Sequence, residues 1–280
     1  MLGYLTRVYL NRRDIKRAGE LIIQGIEAAK KTTDVKALTL NLFNEANYYH
    51  HNNQRVLALN SYRKLEMQYK ELGDEKSAAI ALNNIGNIQR SLGDFKGAFE
   101  SYQQALGTLS SEQNVKYVNT IMNIGEVFML LKDYEQADIN YQKGLSLISE
   151  KTSPLIYYEV NLRLGVLRAK TNNFSSAYEF YKKAEITAEK YQFHGQVILT
   201  QYRLINLANR TNNPELATNS LKKAESFLDP KLSKSITSHM DYFRALVAYI
   251  NDDALLAEIY IDKLLSEKIA ESQYYSIQNV

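Results

Sequence analysis

The 280-residue chain contains no cysteine and no tryptophan. Without cysteine there is no disulfide framework, no thiolate metal site and no cysteine nucleophile. That absence fits a cytoplasmic or a periplasmic setting and does not choose between them. There are only three prolines and no tract rich in glycine, proline or serine, so no flexible linker is expected. No apolar run approaches the length of a membrane span. The opening residues, MLGYLTRVYLNRRD, do not read as a convincing signal peptide, because Arg7 interrupts the apolar part and no small-residue cleavage site follows. The net charge of +3 gives no footprint for broad nucleic-acid binding.

Catalytic signatures are missing as well. The chain has no GxGxxG, GxxxxGK, GxSxG or HExxH. Two SxxK matches, Ser61 to Lys64 and Ser220 to Lys223, fall at corresponding repeat positions and read as exposed repeat residues. His50 and His51 are adjacent, so on a helix they point about 100° apart and make poor partners for one metal ion. Neither His194 nor His239 has a carboxylate neighbour at ligand spacing. No cofactor, no metal and no catalysis are expected.

What is present is periodicity. A small residue recurs at Ala18, Ala58, Ala98, Ala137, Ala177, Ala217 and Ala257, in steps of 40, 40, 39, 40, 40 and 40 residues. Four residues after each stands a large one: Ile22, Tyr62, Tyr102, Tyr141, Tyr181, Leu221 and Ile261. Twelve residues before each lies a second row, Thr6, Ala46, Gly86, Gly125, Gly165, Ile205 and Ala245. The stretch from Leu82 to Leu106 shows the unit best. It reads as two helices joined at Leu92-Gly93-Asp94, with Gly86 and Ala98 allowing close approach and Phe95 and Tyr102 filling the space beside them. One such hairpin cannot bury its apolar faces alone, so neighbours of the same kind must stack on it.

Gly86, Ala98, Tyr102 and Ala105 resemble the tetratricopeptide repeat, and the resemblance covers nearly the whole chain. It departs from that repeat in its 40-residue period, against the usual ~34, and in lacking the closing proline. Long-period members include kinesin light chain and the peptide receptors of Gram-positive quorum sensing. The resemblance implies an all-α fold, a right-handed α–α superhelix of seven helical hairpins with a truncated eighth helix. It also implies a binding scaffold. The units fall at about 1–31, 34–72, 73–109, 110–150, 153–190, 194–228 and 229–267, with a partial helix at 271–280, all in one domain. Pro154, Pro214 and Pro230 each follow a capping residue at a predicted helix start, where proline is tolerated. The first unit lacks part of its leading helix and the last residues open an eighth unit, so the chain is expected to be a piece of a longer protein.

In stacked hairpins of this family the first helices line a concave face, and equivalent residues form ladders along it. Two residues before the small row stand Asn44, Asn84, Asn123, Arg163 and Arg203; one residue after it stand Asn47 and Asn87. An amide offers a donor and an acceptor together, which suits the backbone of an extended peptide. Asparagine at such positions equally serves to bond a neighbouring helix, and both readings stay open. Arg163, Arg203, Lys170 and Arg210 form a basic cluster suited to a carboxylate or phosphate; its alternative is a solvated face balanced by Glu126 and Glu159. Phe43, Tyr202 and Tyr242 share another ladder and are candidate apolar anchors.

The expected function is a non-enzymatic scaffold holding a peptide or protein segment. By family analogy it is the sensory or regulatory part of a larger bacterial signalling protein. The alternatives are a structural assembly module with no groove ligand and, third, a hydrolase built on the solenoid. No nucleic acid and no membrane are expected as partners of this region. Tyr274 and Tyr275, beside an absent neighbour, suggest a homodimer through the C-terminal end.

Overall fold

From the third hairpin to the seventh, the turn is written in two residues. The first takes a left-handed backbone: Gly93 (φ +83°), Lys132 (+61°), Asn172 (+60°), Asn212 (+47°) and Asp252 (+58°). The second caps the helix that follows. Asp94 accepts the Gly97 amide at 2.9 Å, Asp133 that of Gln136 at 3.1 Å and Asn173 that of Ser176 at 3.2 Å. Asn213 and Asp253 do the same for Leu216 and Leu256. The cap satisfies one of the amides a helix start leaves open, and the left-handed residue reverses the chain. Gly93 meets this need without strain and has nothing within 4 Å of where a Cβ would lie. Gly93→Ala therefore carries a backbone cost alone, expected at about 1 kcal/mol, and Lys132→Gly should act in the opposite direction. The midpoint of urea unfolding checks both.

The computed structural model describes residues 4–6, 9, 15–32, 35–109, 115–228 and 234–277. Among them are thirteen helices and no strand, besides the helical residues 4–6 and 9. The chain forms two compact units, Met1–Leu147 and Ile148–Val280. The first holds α1 (Ile15–Thr32), α2 (Val35–His51), α3 (Arg55–Glu71), α4 (Glu75–Ser91), α5 (Phe95–Thr108), α6 (Val115–Leu130) and α7 (Tyr134–Ser146). The second holds α8 (Pro154–Lys170), α9 (Phe174–Lys190), α10 (His194–Thr211), α11 (Pro214–Ser226), α12 (Lys234–Ile250) and α13 (Ala254–Ile277). In each unit an even-numbered helix pairs with the odd-numbered one after it, and α2, α4, α6, α10 and α12 also touch the odd-numbered one before them. The leading helices α4 and α6, and α8, α10 and α12, stand side by side.

Two of the prolines open helices, Pro154 in α8 and Pro214 in α11. Asp14, the start of the fourth unit at Ser110-Ser111, and Pro230 lie outside the described residues. The partial helix expected at 271 does not begin there: α13 runs unbroken from Ala254 to Ile277. The side chains of Tyr274 and Tyr275 are also outside the described set.

The repeat rows meet inside each hairpin. A Cβ added at Gly86 would lie 2.5 Å from the Tyr102 ring, one at Gly125 2.5 Å from Tyr141, and one at Gly165 2.5 Å from Tyr181. The missing side chain is thus the seat of the tyrosine. Tyr102 and Tyr141 are fully buried, as are Ala98, Ala137 and Ala177. Packing this close is what fixes the spacing between the two helices of a hairpin.

Candidate functional site

The seated tyrosines explain one ladder. The Tyr62 hydroxyl donates to Asn47 Oδ1 at 3.0 Å, Tyr102 to Asn87 Oδ1 at 2.8 Å and Tyr141 to Glu126 Oε2 at 3.1 Å. Asn47 also gives its Nδ2 to the Phe43 carbonyl at 2.8 Å. Asn47 and Asn87, offered above as peptide contacts, thus have their carboxamide oxygens committed to locking their own hairpins. In the fifth hairpin Val166 takes this place and offers Tyr181 no acceptor. Burial pushes the hydroxyls of Tyr62 and Tyr181 up to about 12.

The asparagine ladder divides into three fates. Asn44 is 1 % exposed, inside the stack, out of reach of a guest on the surface. Asn123 donates its Nδ2 to Asn83 Oδ1 at 3.1 Å, and Thr120 Oγ1 lies 3.1 Å from the same oxygen. Asn83 stands three residues before the small row, in the ladder of Phe43, Tyr202 and Tyr242, but as an amide it is not among the apolar anchors named there. It nonetheless links adjacent leading helices, α4 and α6. Asn84 is half-buried and lines a cavity of about 240 Å³. Its walls include Phe43 from α2, Ile80 from α4 and Lys116 from α6, over Leu65 and Tyr69 of α3. Two of the predicted residues, Phe43 and Asn84, are therefore brought together.

One rule of register emerges. A residue three before the small row in one hairpin meets a residue two before it in the next: Asn83 with Asn123, Phe43 with Asn84 at one cavity, and Tyr202 with Phe243. The last pair stacks with ring centroids 4.0 Å apart, and Tyr242 meets Phe243 edge-on at 5.1 Å. Tyr242 is 50 % exposed, so the second unit presents an aromatic edge on α12.

The members of the basic cluster differ in their surroundings. Arg210 donates to the Ala169 carbonyl and to Asn172 Oδ1, both at 2.6 Å, and lies 4.8 Å above the Phe174 ring. It fastens α10 to the preceding turn and is a structural residue. Arg163 is half-buried one turn from Glu159, whose carboxyl burial raises while the Arg163 charge draws it back. Arg203 and Lys170 are exposed. Burial sends the Tyr158 hydroxyl up to about 12, and Arg203 acts against that rise.

Among the described residues no cluster of three or more His, Asp or Glu side chains is placed to hold a metal, and no helix is long and apolar enough to cross a membrane. His51 Nδ1 lies 2.7 Å from the Asn47 carbonyl, and His194 packs edge-on against Phe227. His239 is outside the described side chains. Ser61 and Ser220, each 3 % exposed, are buried and not exposed as the sequence suggested. Ser61 donates to Glu45, and Lys223 is paired with Glu185 and Glu189.

None of the curated proteins matches the chain in sequence. Solved structures do match in fold. The apo form of RapI superposes with a TM-score of 0.71 at 17 % identity, over 94 % of this chain and 74 % of that one. Aspartyl phosphate phosphatase F from Bacillus subtilis gives 0.70 at 14 %, over 93 % and 68 %. A tetratricopeptide repeat protein from Parabacteroides merdae gives 0.63 at 15 %, over 95 % and 91 %. These likenesses establish an all-α fold of tetratricopeptide-like hairpins. The family model for soluble NSF attachment protein, SNAP, matches residues 6–153, more than half of the chain. By that match and by its hairpin rows, the chain belongs to the soluble NSF attachment protein family within the tetratricopeptide-repeat superfamily.

Proposed function

We propose that the chain is a non-catalytic scaffold that holds a peptide or protein segment against its leading helices. The observation that carries this reading is the cavity shared by Phe43, Asn84 and Lys116, because residues from three successive hairpins meet there. A row of first helices presents equivalent positions at regular intervals, as an extended segment presents its backbone groups. Asn84 is the amide for that backbone, Phe43 an apolar anchor and Lys116 a charge for an acidic side chain. In the second unit Arg203, Lys170 and Tyr242 are groove residues left exposed. By analogy with long-period repeat proteins, the scaffold is the regulatory part of a larger bacterial signalling protein.

Selection from a random peptide display library tests the reading. Peptides that bind the purified chain should lose about 3- to 10-fold in affinity to Asn84→Ala, the worth of one hydrogen bond. They should lose more to Phe43→Ala, with the Asn84→Ala unfolding midpoint little changed. Peptides that bind both variants like the parent sink the groove reading. The assembly alternative is favoured by Ile261 and Leu265 on α13, 47 % and 53 % exposed. It predicts no groove-dependent peptides and a sedimentation mass that rises with concentration, a rise that Ile261→Asp removes.

A further inference from the structure

A second cavity of about 470 Å³ lies in the second unit, on the side of the trailing helices α9 and α11. It shares no residue with the groove positions discussed above. Phe174, Tyr178, Leu207 and Leu216 form its apolar lining; Ser175, Glu215 and Asn219 stand at its mouth. Among its other polar lining groups, Thr211 Oγ1 lies 3.0 Å from the Leu207 carbonyl and Asn213 caps α11.

The repeat offers a comparison for this place. In the first unit Phe99, one residue after Ala98, is met edge-on by Phe128, three residues after Gly125, at 5.7 Å and 72°. The equivalent positions between the fifth and sixth hairpins are Tyr178, one after Ala177, and Ala208, three after Ile205. Tyr178 keeps its ring and is 39 % exposed, whereas Ala208 supplies only a methyl. The aromatic partner that the chain supplies to itself in one hairpin pair is missing in the other. Phe174 completes the wall, and the Arg210 guanidinium lies over its ring.

The charge at the mouth is of one sign. Glu215 faces it, and Glu179 follows Ser175 by one helical turn on the exposed side of α9. The cations around it are engaged: Arg210 with the preceding turn, Lys182 with Glu185, and Lys223 with Glu185 and Glu189. Lys222, on α11 beyond Asn219, is the exposed cation nearest in sequence.

We propose that this cavity receives an aromatic side chain, flanked by a basic residue, from a partner protein segment. The ring takes the place that Phe128 takes against Phe99, and the flanking cation meets Glu215. Aromatic anchors in desolvated pockets dominate protein interfaces, and a ring pair adds to the area it buries.

Three capped peptides probe it by NMR of the isotope-labelled chain: acetyl-Arg-Phe-Arg-amide, acetyl-Arg-Ala-Arg-amide and acetyl-Glu-Phe-Glu-amide. The first should shift the Tyr178 and Leu216 resonances, with the other two at least 10-fold weaker. Ser175→Trp, at an exposed position, should close the mouth and abolish those shifts. Ala208→Phe should do the same by restoring the internal ring; if it fails to fold, Ser175→Trp still decides. Glu215→Gln should remove most of the discrimination against the acidic peptide. Equal binding of the phenylalanine and alanine peptides, or undiminished binding to Ser175→Trp, overturns the proposal. Phenethylamine binding as tightly as the basic peptide overturns it too, in favour of a free small molecule.

Discussion

Tyr102→Ala is expected to lower the unfolding free energy by about 3–5 kcal/mol, the range for removing a buried aromatic side chain. Tyr102 has no exposed surface and packs with Ala98, Ile124 and Val127, so its ring reaches into the next hairpin as well as its own. Its seat is Gly86, where no side chain exists to swing into the space it would leave. The cavity would therefore persist, which puts the cost toward the upper end. Tyr102→Phe separates the ring from the hydroxyl. It loses the 2.8 Å bond to Asn87, whose half-buried amide can turn to water, and should cost about 1 kcal/mol. Urea unfolding followed by circular dichroism gives both numbers. If the alanine variant falls no further than the phenylalanine variant, ring packing is not what joins these hairpins. Repeat units are held chiefly by their nearest neighbours, so the loss should spread to α6 and show as earlier amide exchange there.

The architecture was legible because the features that make it are local and recur. A left-handed residue followed by Asp or Asn marks each turn from the third hairpin to the seventh, and glycine twelve residues before alanine marks where a tyrosine must sit. The site was less legible because side-chain commitments cross between helices. Asn84 and Asn87 look alike in a ladder, yet one lines a cavity and the other holds a tyrosine hydroxyl fifteen residues on. Periodicity along one helix gives the face a residue shares, not the partner it meets on another. Asn83 was missed for that reason, since its bond spans forty residues to Asn123. Arg210 was read as a groove cation, although its donors reach back to the preceding turn. The cavity beside Tyr178 left no mark in the rows, because an unfilled space adds no residue to be found when rows are scanned for signal.

Glu185 carries the second large effect. It is 2 % exposed on α9 and binds three helices together, accepting from Gln201 on α10 at 2.7 Å, from Lys223 on α11 at 2.7 Å and from Lys182 one turn before it. A buried carboxylate is costly unless its oxygens find donors, and here both do. Glu185→Ala would leave Gln201 without its acceptor and strip both lysines of a shared counter-charge, an expected loss of about 3–5 kcal/mol. Glu185→Gln keeps the shape and one acceptor and should lose less. Acid separates charge from shape. Burial alone would raise the Glu185 carboxyl, but the hydrogen bonds from Lys182, Lys223 and Gln201 outweigh it and hold it below the ordinary carboxylate range. A carboxyl held low in the folded state contributes stability above its unfolded value of about 4.3, and that stability is lost as pH falls through the folded value. Asp241, held low by Lys263 and Arg244 against the same burial, adds to the acid slope and remains in the variant. Glu185→Gln should therefore be less stable than the parent near neutrality and lose stability less steeply below about pH 4.5. Parallel stability curves from pH 7 to pH 3 would mean that Glu185 does not bind the three helices through its charge.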